Sequence, residues 1–499
     1  MKKTTKLLAL LLAVLCFASA FVACNETTTD EGETESRVVA ESNTQTEEKT
    51  EETEFYPDVE RKNYNTEFYL SIQAGGTNPI KYYWVAEGEK DAMSEALYAR
   101  QMSVQDYLGV EIVGVEAGTY DTYTDGFKTA VKNKDGSVHT LQTHVYFGLV
   151  SMITENYLID YQDMPGINLD SDYWNRDLMS SLAAGDNLFL GYCNYNLANT
   201  HVITFNKKMM DQYADALNES VYSMVENYHW TLDQMISVAK MVYVDQTADG
   251  KTDDDIFGIT GHQWVPFCTF IKSSGLNFVD TNEKGEYYLS VYDEMSKEKC
   301  TTVIEKLYDL TREDCSWFWF RTEGTPEVTI TSGRTLMYIQ GSFGLADNLG
   351  YDIDFGVLPY PMFDENQKDV GYRSLEWGGM LVIPNYLTDM QMTGETLEML
   401  AFFSDDVTIT FYEKLLGKQV ADAPEDKKML DIIWDSVCSD FGLNYSHMSS
   451  AFDQILYMVP NLTHMNTTKD VASYIKENEK ACNKALTSFF KKVEMLNKD

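Results

Sequence analysis

The sequence predicts an α/β fold of two or more domains, and three observations carry that reading. Residues 67–73 (EFYLSIQ) alternate as a half-buried strand, 91–108 carry helical apolar spacing, and 110–115 return as a strand. Strand, helix and strand at this spacing make a βαβ unit. A second stretch, 199–262, repeats the alternation with a β-like run at 201–205 and a helix opening at Trp230-Thr231. At 499 residues and 44% hydrophobic content, the chain has ample material for two cores.

The first residues read as an export signal: Lys2, Lys3 and Lys6, then an apolar run from 7 to 23. The run ends Phe21-Val22-Ala23-Cys24, which resembles a bacterial lipobox, with Phe21 in place of the usual Leu. That resemblance implies lipidation at Cys24; the alternative is an ordinary signal peptide cut near 18–23. From 25 to 54 the chain is Thr, Glu, Ser and Asn with almost nothing apolar, so it cannot bury enough surface to fold. The expected arrangement is a signal at 1–23 and a disordered acidic tether at 24–63. It would hold the folded part off the outer face of a membrane. No other run is long and apolar enough to span one.

The net charge of −39 repels nucleic acid and anionic lipid, and no basic stripe opposes it. Besides Cys16 and Cys24 there are six cysteines: Cys193, Cys268, Cys300, Cys315, Cys438 and Cys482. None has Cys-x-x-Cys or zinc spacing, which leaves buried thiols or unassigned disulfides.

In the 67–115 unit, Gly75-Gly76 break the first strand, and Met93, Leu97, Val104 and Leu108 share one side of the helix. A short helix is expected at 122–132, a strand at 138–147 and a hairpin segment at 185–191 (GDNLFLG). At Trp230-Thr231, Thr231 is the N-cap, Gln234 its capping-box partner, and Trp230 a staple onto Met235. Leu232, Met235, Ile236, Ala239 and Val242 fall on one face. An acid-rich turn at 245–253 precedes Phe257-Gly258-Ile259. Later, Gly333-Arg-Thr-Leu-Met337 leads to Tyr338-Ile-Gln-Gly-Ser-Phe343, then Asp354-Phe-Gly-Val-Leu-Pro-Tyr-Pro361, then Trp377-Gly-Gly-Met-Leu-Val-Ile383.

The ordered combination of an apolar strand ending Phe205-Asn206-Lys207, the Trp230-Thr231 helix start and the Asp249-Gly-Lys-Thr-Asp253 turn resembles a known family. It is similar to the extracellular solute-binding proteins of ABC importers, family-1 carbohydrate type. The segments at 94–102, 158–175 and 333–361 extend the likeness, patchily, from about Tyr64 to the C-terminus. The resemblance implies a type II periplasmic-binding-protein-like fold: two lobes joined by crossing strands, with a ligand cleft between them. It places lobe 1 at 64–198 and 377–446, and lobe 2 at 199–376 and 447–499. It implies a sugar or oligosaccharide ligand, an ABC permease as partner, and a monomer.

No Gly-x-Ser-x-Gly turn, His-Glu-x-x-His motif or phosphate-cradling Gly loop is present, so no enzyme chemistry is indicated. Asp245, Thr247, Asp249, Gly250 and Asp253 match positions 1, 3, 5, 6 and 9 of an EF-hand loop, but Ile256 stands where a bidentate Glu is needed. An acidic turn is therefore favoured over calcium on Asp245, Asp249 and Asp253, and no other cofactor is indicated. Aromatics make up 13% of residues. Their flat faces suit the C–H faces of sugar rings, while polar side chains suit the hydroxyl rim. Ligands sit beyond the carboxyl ends of strands in open α/β sheets. That rule selects Gln73 and Ala74, then Thr143, His144 and Tyr146, then Asn194 and Tyr195. It also selects Gln340, Gly341, Ser342 and Phe343, Glu376 and Trp377, and, more weakly, Gln263 and Trp264. Trp377 is the foremost candidate for ring stacking, Trp174 and Trp230 are assigned to packing, and Trp317 and Trp319 fit either role. The other functional classes compatible with the sequence are a surface-anchored glycan-active enzyme and a non-transport sensor or adhesion module.

Overall fold

β1 (Thr66–Ile72) and β2 (Val110–Glu116) run parallel with Thr66 opposite Val110, joined through the helix Ala92–Leu108. The expected βαβ unit is therefore present. Asp91 caps the helix, its Oδ1 accepting from the Met93 and Ser94 amides at 3.1 and 3.2 Å. β3 (Thr140–His144) lies parallel on the other side of β1, and a late strand, β13 (Gly379–Val382), pairs antiparallel with β3. The order is β13-β3-β1-β2. Because β1 is central, its alternation fades toward its end: Phe68, Leu70 and Ile72 are buried, and so are Ser71 and Gln73.

The chain shown is a computed structural model describing residues 57–73, 80–119, 122–144, 148–320, 328–341, 353–417, 424–464 and 468–496. These fall within one unit, Tyr56–Asp499. The signal, Cys24, the tether up to residue 56, and Ala74, Tyr146, Ser342 and Phe343 lie outside the described residues.

The second sheet uses β4 (His201–Asn206), β5 (Tyr243–Val244), β6 (Ile256–His262), β9 (Ser316–Trp319), β10 (Thr335–Gly341) and β11 (Phe355–Leu358). Its order is β11-β4-β10-β6-β5, with β9 on β6. β4 is buried at every position, between two antiparallel neighbours. A hairpin of β7 (Asp280–Thr281) and β8 (Tyr287–Tyr288) and a parallel pair of β12 (Ser374–Leu375) and β14 (Val437–Cys438) complete the strands.

Thr231 is the N-cap of the helix Leu232–Ala239, as the sequence predicts, with its Oγ1 accepting from the Gln234 amide at 3.3 Å. Trp230 is fully buried and donates Nε1–H to the Pro359 carbonyl at 2.9 Å, a packing role. The buried stripe is Leu232, Met235, Val238 and Ala239; Ile236 is only half-buried. This helix lies so close to β6 that a Cβ on Gly258 would sit 1.7 Å from the Ala239 carbonyl oxygen.

The later helices divide between the two sheets. The helices Met390–Phe402 and Asp405–Gly417 pack on the Ala92–Leu108 helix, as a return to the first lobe requires. The helix Pro424–Asp435 instead docks on β11 of the second sheet. Asp426 holds it there: fully buried, it pairs with Lys207 at 2.7 Å and accepts from Tyr222 OH and the Val357 amide at 2.7 and 3.0 Å.

All six cysteines in the described residues are free, five of them buried. No described helix is long and apolar enough to cross a membrane.

Candidate functional site

Two segments cross between the sheets side by side. Residues 196–200 lead from the first sheet into β4, and 374–378 lead from the second sheet back into β13. They pair antiparallel at Thr200 and Glu376, and the Trp377 amide donates to the Asn199 carbonyl at 2.9 Å. Residues 436–438 lie alongside as a third strand, where Ser374 and Glu376 amides donate to the Ser436 and Cys438 carbonyls at 3.0 and 2.8 Å. Short paired segments of this kind let two packed bodies rotate without unpacking either.

Glu376 is the charged group at the crossing. It is 2% exposed. Its carboxylate accepts from Tyr192 OH at 2.8 Å and from the Asn199 amide at 3.2 Å, and also from the Gly378 amide. Burial pushes its pKa up to about 7, and these three donors only partly oppose the shift. Its oxygens are spent on the crossing itself, so Glu376 acts as a clamp on the crossing strands, not as an open acceptor for a ligand.

The other predicted residues divide into two groups. Gln340 and Gly341 end β10, where Gly341 pairs with His201. The His201 ring lies 5.9 Å from the half-buried Trp377 ring. Gln340, Gly341 and Trp377 therefore meet at the crossing. Gln73, Thr143 and His144 meet at the carboxyl ends of β1 and β3. There the Gln73 amide donates to the Gln142 carbonyl at 3.0 Å, while Thr143 and His144 oppose Met380 and Gly379. Asn194 and Tyr195 do not join them. Asn194 donates to Asp405, and Tyr195 is 1% exposed, with Arg100 over its ring at 4.6 Å and Tyr83 at 5.7 Å. Tyr195 is core packing.

At the carboxyl ends of β6 and β9 the structure gathers one of the predicted residues, Trp264, with aromatics that sequence reasoning passed over or left undecided. Trp264, half-buried at the start of the helix Val265–Ser273, has Tyr457 at 4.6 Å and Phe320 at 5.8 Å. Trp319 lies 6.3 Å from His262 and stacks on Tyr338 at 6.1 Å. Phe320 meets His464 at 4.6 Å. Trp317 belongs elsewhere, packed on Phe257 at 5.5 Å. The signal available was the alternation Ser-Trp-Phe-Trp-Phe at 316–320, which puts Trp317 and Trp319 on one face at opposite ends of a short strand. His201 is neutral: burial pulls its pKa down to about 3, and its Nδ1 shares a hydrogen bond with Thr269 Oγ1 at 2.8 Å.

The acidic turn closes on itself. Asp245 accepts from the Ala248 and Gly250 amides at 2.6 and 3.2 Å, and Gly250 takes φ +96°. Among the described residues no group of three or more His, Cys, Asp or Glu side chains is placed to hold a metal. Six carboxylates are buried among those residues: Asp255, Glu376, Glu395, Glu398, Asp426 and Asp440. Each is held by donors of its own fold. For example, Glu398 accepts from Trp174 Nε1 at 2.8 Å and the Asn168 amide at 3.1 Å, and also from Tyr173 OH.

No protein-family model and no curated protein matches the chain. Solved structures do. The GacH receptor of Streptomyces glaucescens, described unliganded and with acarbose, aligns with a TM-score of 0.56 at 15% identity, over 85% of this chain and 98% of its own. The substrate-binding protein Lmo0181 of Listeria monocytogenes, in complex with cycloalternan, gives 0.53 at 12% identity, over 85% and 99%. A solute-binding protein of an ABC transporter from Thermotoga lettingae, bound with α-D-tagatose, gives 0.51 at 14% identity, over 84% and 99%. At these identities the likeness is one of architecture: the chain has the two-lobed α/β fold of the periplasmic binding proteins.

Proposed function

We propose that the chain is a solute-binding protein of an ABC importer that captures a sugar or oligosaccharide between its lobes and hands it to a membrane permease. The observation that carries this reading is the set of half-buried aromatic rings at the carboxyl ends of the second sheet. Trp264, Tyr338, Tyr457 and Trp377 lie there, beside a three-stranded crossing. Flat, half-buried rings suit the C–H faces of a sugar. Crossing strands permit hinge closure, whose extent is set by the ligand's preference for the closed form. The named ligands of the three similar structures support a carbohydrate. The N-terminal sequence supports export, lipidation at Cys24 and a tether to about residue 63.

A thermal-shift screen of the folded chain against mono- and oligosaccharides, peptides and polyamines tests the proposal, because a ligand of the native state raises the midpoint. A shift with one sugar class and no turnover is the expected result. Trp377→Ala should weaken that binding by about 1 kcal/mol or more, roughly fivefold, the worth of one aromatic contact. Breakdown of the sugar would identify a glycan-active enzyme. A shift with peptides or amines alone would keep the fold and remove the carbohydrate assignment.

A further inference from the structure

We propose that the cavity between the helix Arg176–Ser181, residues 277–281 and the segment 435–441 is a second ligand site, which takes a zwitterionic, amino-acid-like small molecule. The cavity has a volume of about 500 Å³ and draws its walls from both halves of the fold. That size suits an amino acid or a dipeptide. It is separate from the aromatic cluster at the carboxyl ends of the second sheet. None of Gln73, Thr143, His262, Trp319 or Gly341 lines it, and it begins at Lys272, near the far end of the helix that starts beside Trp264. That nine-residue helix is about 13 Å long.

The lining charges select the ligand class. Lys272 is 3% exposed, yet its ammonium has one close acceptor, Asn277 Oδ1, and a carboxylate of Asp440 at 3.8 Å. That carboxylate already accepts from the Phe278 and Leu443 amides at 2.9 and 3.0 Å. An ammonium carries three donors, so Lys272 is short of acceptors. Burial accordingly pulls its pKa below 10.5. Arg373, half-buried in the same lining, has no side-chain hydrogen bond or ion pair among the described residues, and its charge is felt at Lys272. Two under-partnered cations in one wall of a strongly acidic chain call for a carboxylate, which Arg binds through two parallel hydrogen bonds.

A simple dianion is the wrong answer, because Asp177, Asp280, Asp435 and Asp440 also line the cavity and outnumber the cations. Asp177, in the first turn of the helix that forms the other wall, is exposed and has no bonded partner among the described residues. A ligand carrying a carboxylate for Lys272 and Arg373 and an ammonium for Asp177 satisfies both walls. The inference does not depend on the sugar reading.

The test is isothermal titration and thermal shift of the full chain with the free L-amino acids and glycylglycine, with succinate and putrescine as singly matched comparators. One-to-one binding of an amino acid or the dipeptide, tighter than either comparator, is the expected result. Arg373→Gln and Asp177→Asn should each weaken it roughly tenfold, as loss of a charged hydrogen-bond partner does. Trp377→Ala should leave it unchanged. Both cavity substitutions lie outside the core, so folding is retained. The proposal is overturned if no amino acid or dipeptide binds, if succinate or putrescine binds as well, or if the two cavity variants bind like the parent. It also fails if Trp377→Ala abolishes binding, which would assign the ligand to the cleft.

Discussion

Replacing Glu376 with Gln keeps the shape of the crossing clamp and removes its charge. Burial raises the Glu376 pKa from 4.5 to about 7. In the unfolded chain the group releases its proton near the ordinary value; in the folded chain it keeps it until about 7. Between those values the folded state binds more protons, so this group's contribution to stability is fully present in acid and is lost as pH rises through about 7. A difference of about 2.5 at about 1.36 kcal/mol per pKa unit makes the loss about 3 kcal/mol. The Gln variant also sets an amide N–H₂ against donors that now point at a carboxylate, a cost of about 1–3 kcal/mol that does not vary with pH. The assay is urea unfolding of parent and Glu376→Gln at several pH values from about 4 to about 8. Subtracting the variant from the parent cancels every other titrating group. The parent's advantage should shrink by about 3 kcal/mol across that range. A difference that stays flat, or grows with pH, refutes the argument that burial outweighs the three donors.

Three further outcomes follow from the same structure. Gly378→Ala places a Cβ 2.4 Å from Glu376 Oε1, and calorimetry should show a loss of about 1–3 kcal/mol from overpacking. Asp426→Ala leaves Lys207 with only the exposed Asp354 at 3.2 Å and strips the Tyr222 hydroxyl and the Val357 amide of their acceptor; the cost should be about 1–3 kcal/mol in denaturant unfolding, and protease should then cut first near the Pro424–Asp435 helix. Thr231→Ala removes the cap bond to the Gln234 amide and should cost about 1 kcal/mol, with Thr231→Ser restoring most of it.

The local grammar of the chain was readable where a side chain's role is settled within a few residues. Thr231 caps its helix, Trp230 packs, and the βαβ unit around residues 92–108 runs as its apolar spacing requires. What stayed hidden depends on contacts between distant residues. Gln73 reads as the polar end of a half-buried strand, but β1 is flanked by β2 and β3 and covered on both faces. Glu376 reads as a polar group beside an aromatic, yet Tyr192 and Asn199, far earlier in the chain, turn it into a buried clamp. Asp426 gives no hint within its own helix that Lys207 and Tyr222 will draw that helix to the second sheet. Tyr457 and His464 reach the aromatic cluster from the C-terminal part of the chain, where periodicity shows only a helix.

The state of the thiols has a practical consequence for watching this molecule move. Burial pushes Cys193 and Cys300 up to about 12 and Cys315 and Cys482 up to about 11, and it raises Cys268 as well, so these sulfurs stay protonated and hidden from electrophiles. Cys438 is the partly accessible one among the described cysteines, and it lies on β14 beside the crossing strands. An environment-sensitive maleimide dye added to the folded protein would therefore attach at the pivot in preference to the five buried sites. If the lobes close as proposed, its emission would report that motion in real time, with no engineered cysteine and no labelled ligand.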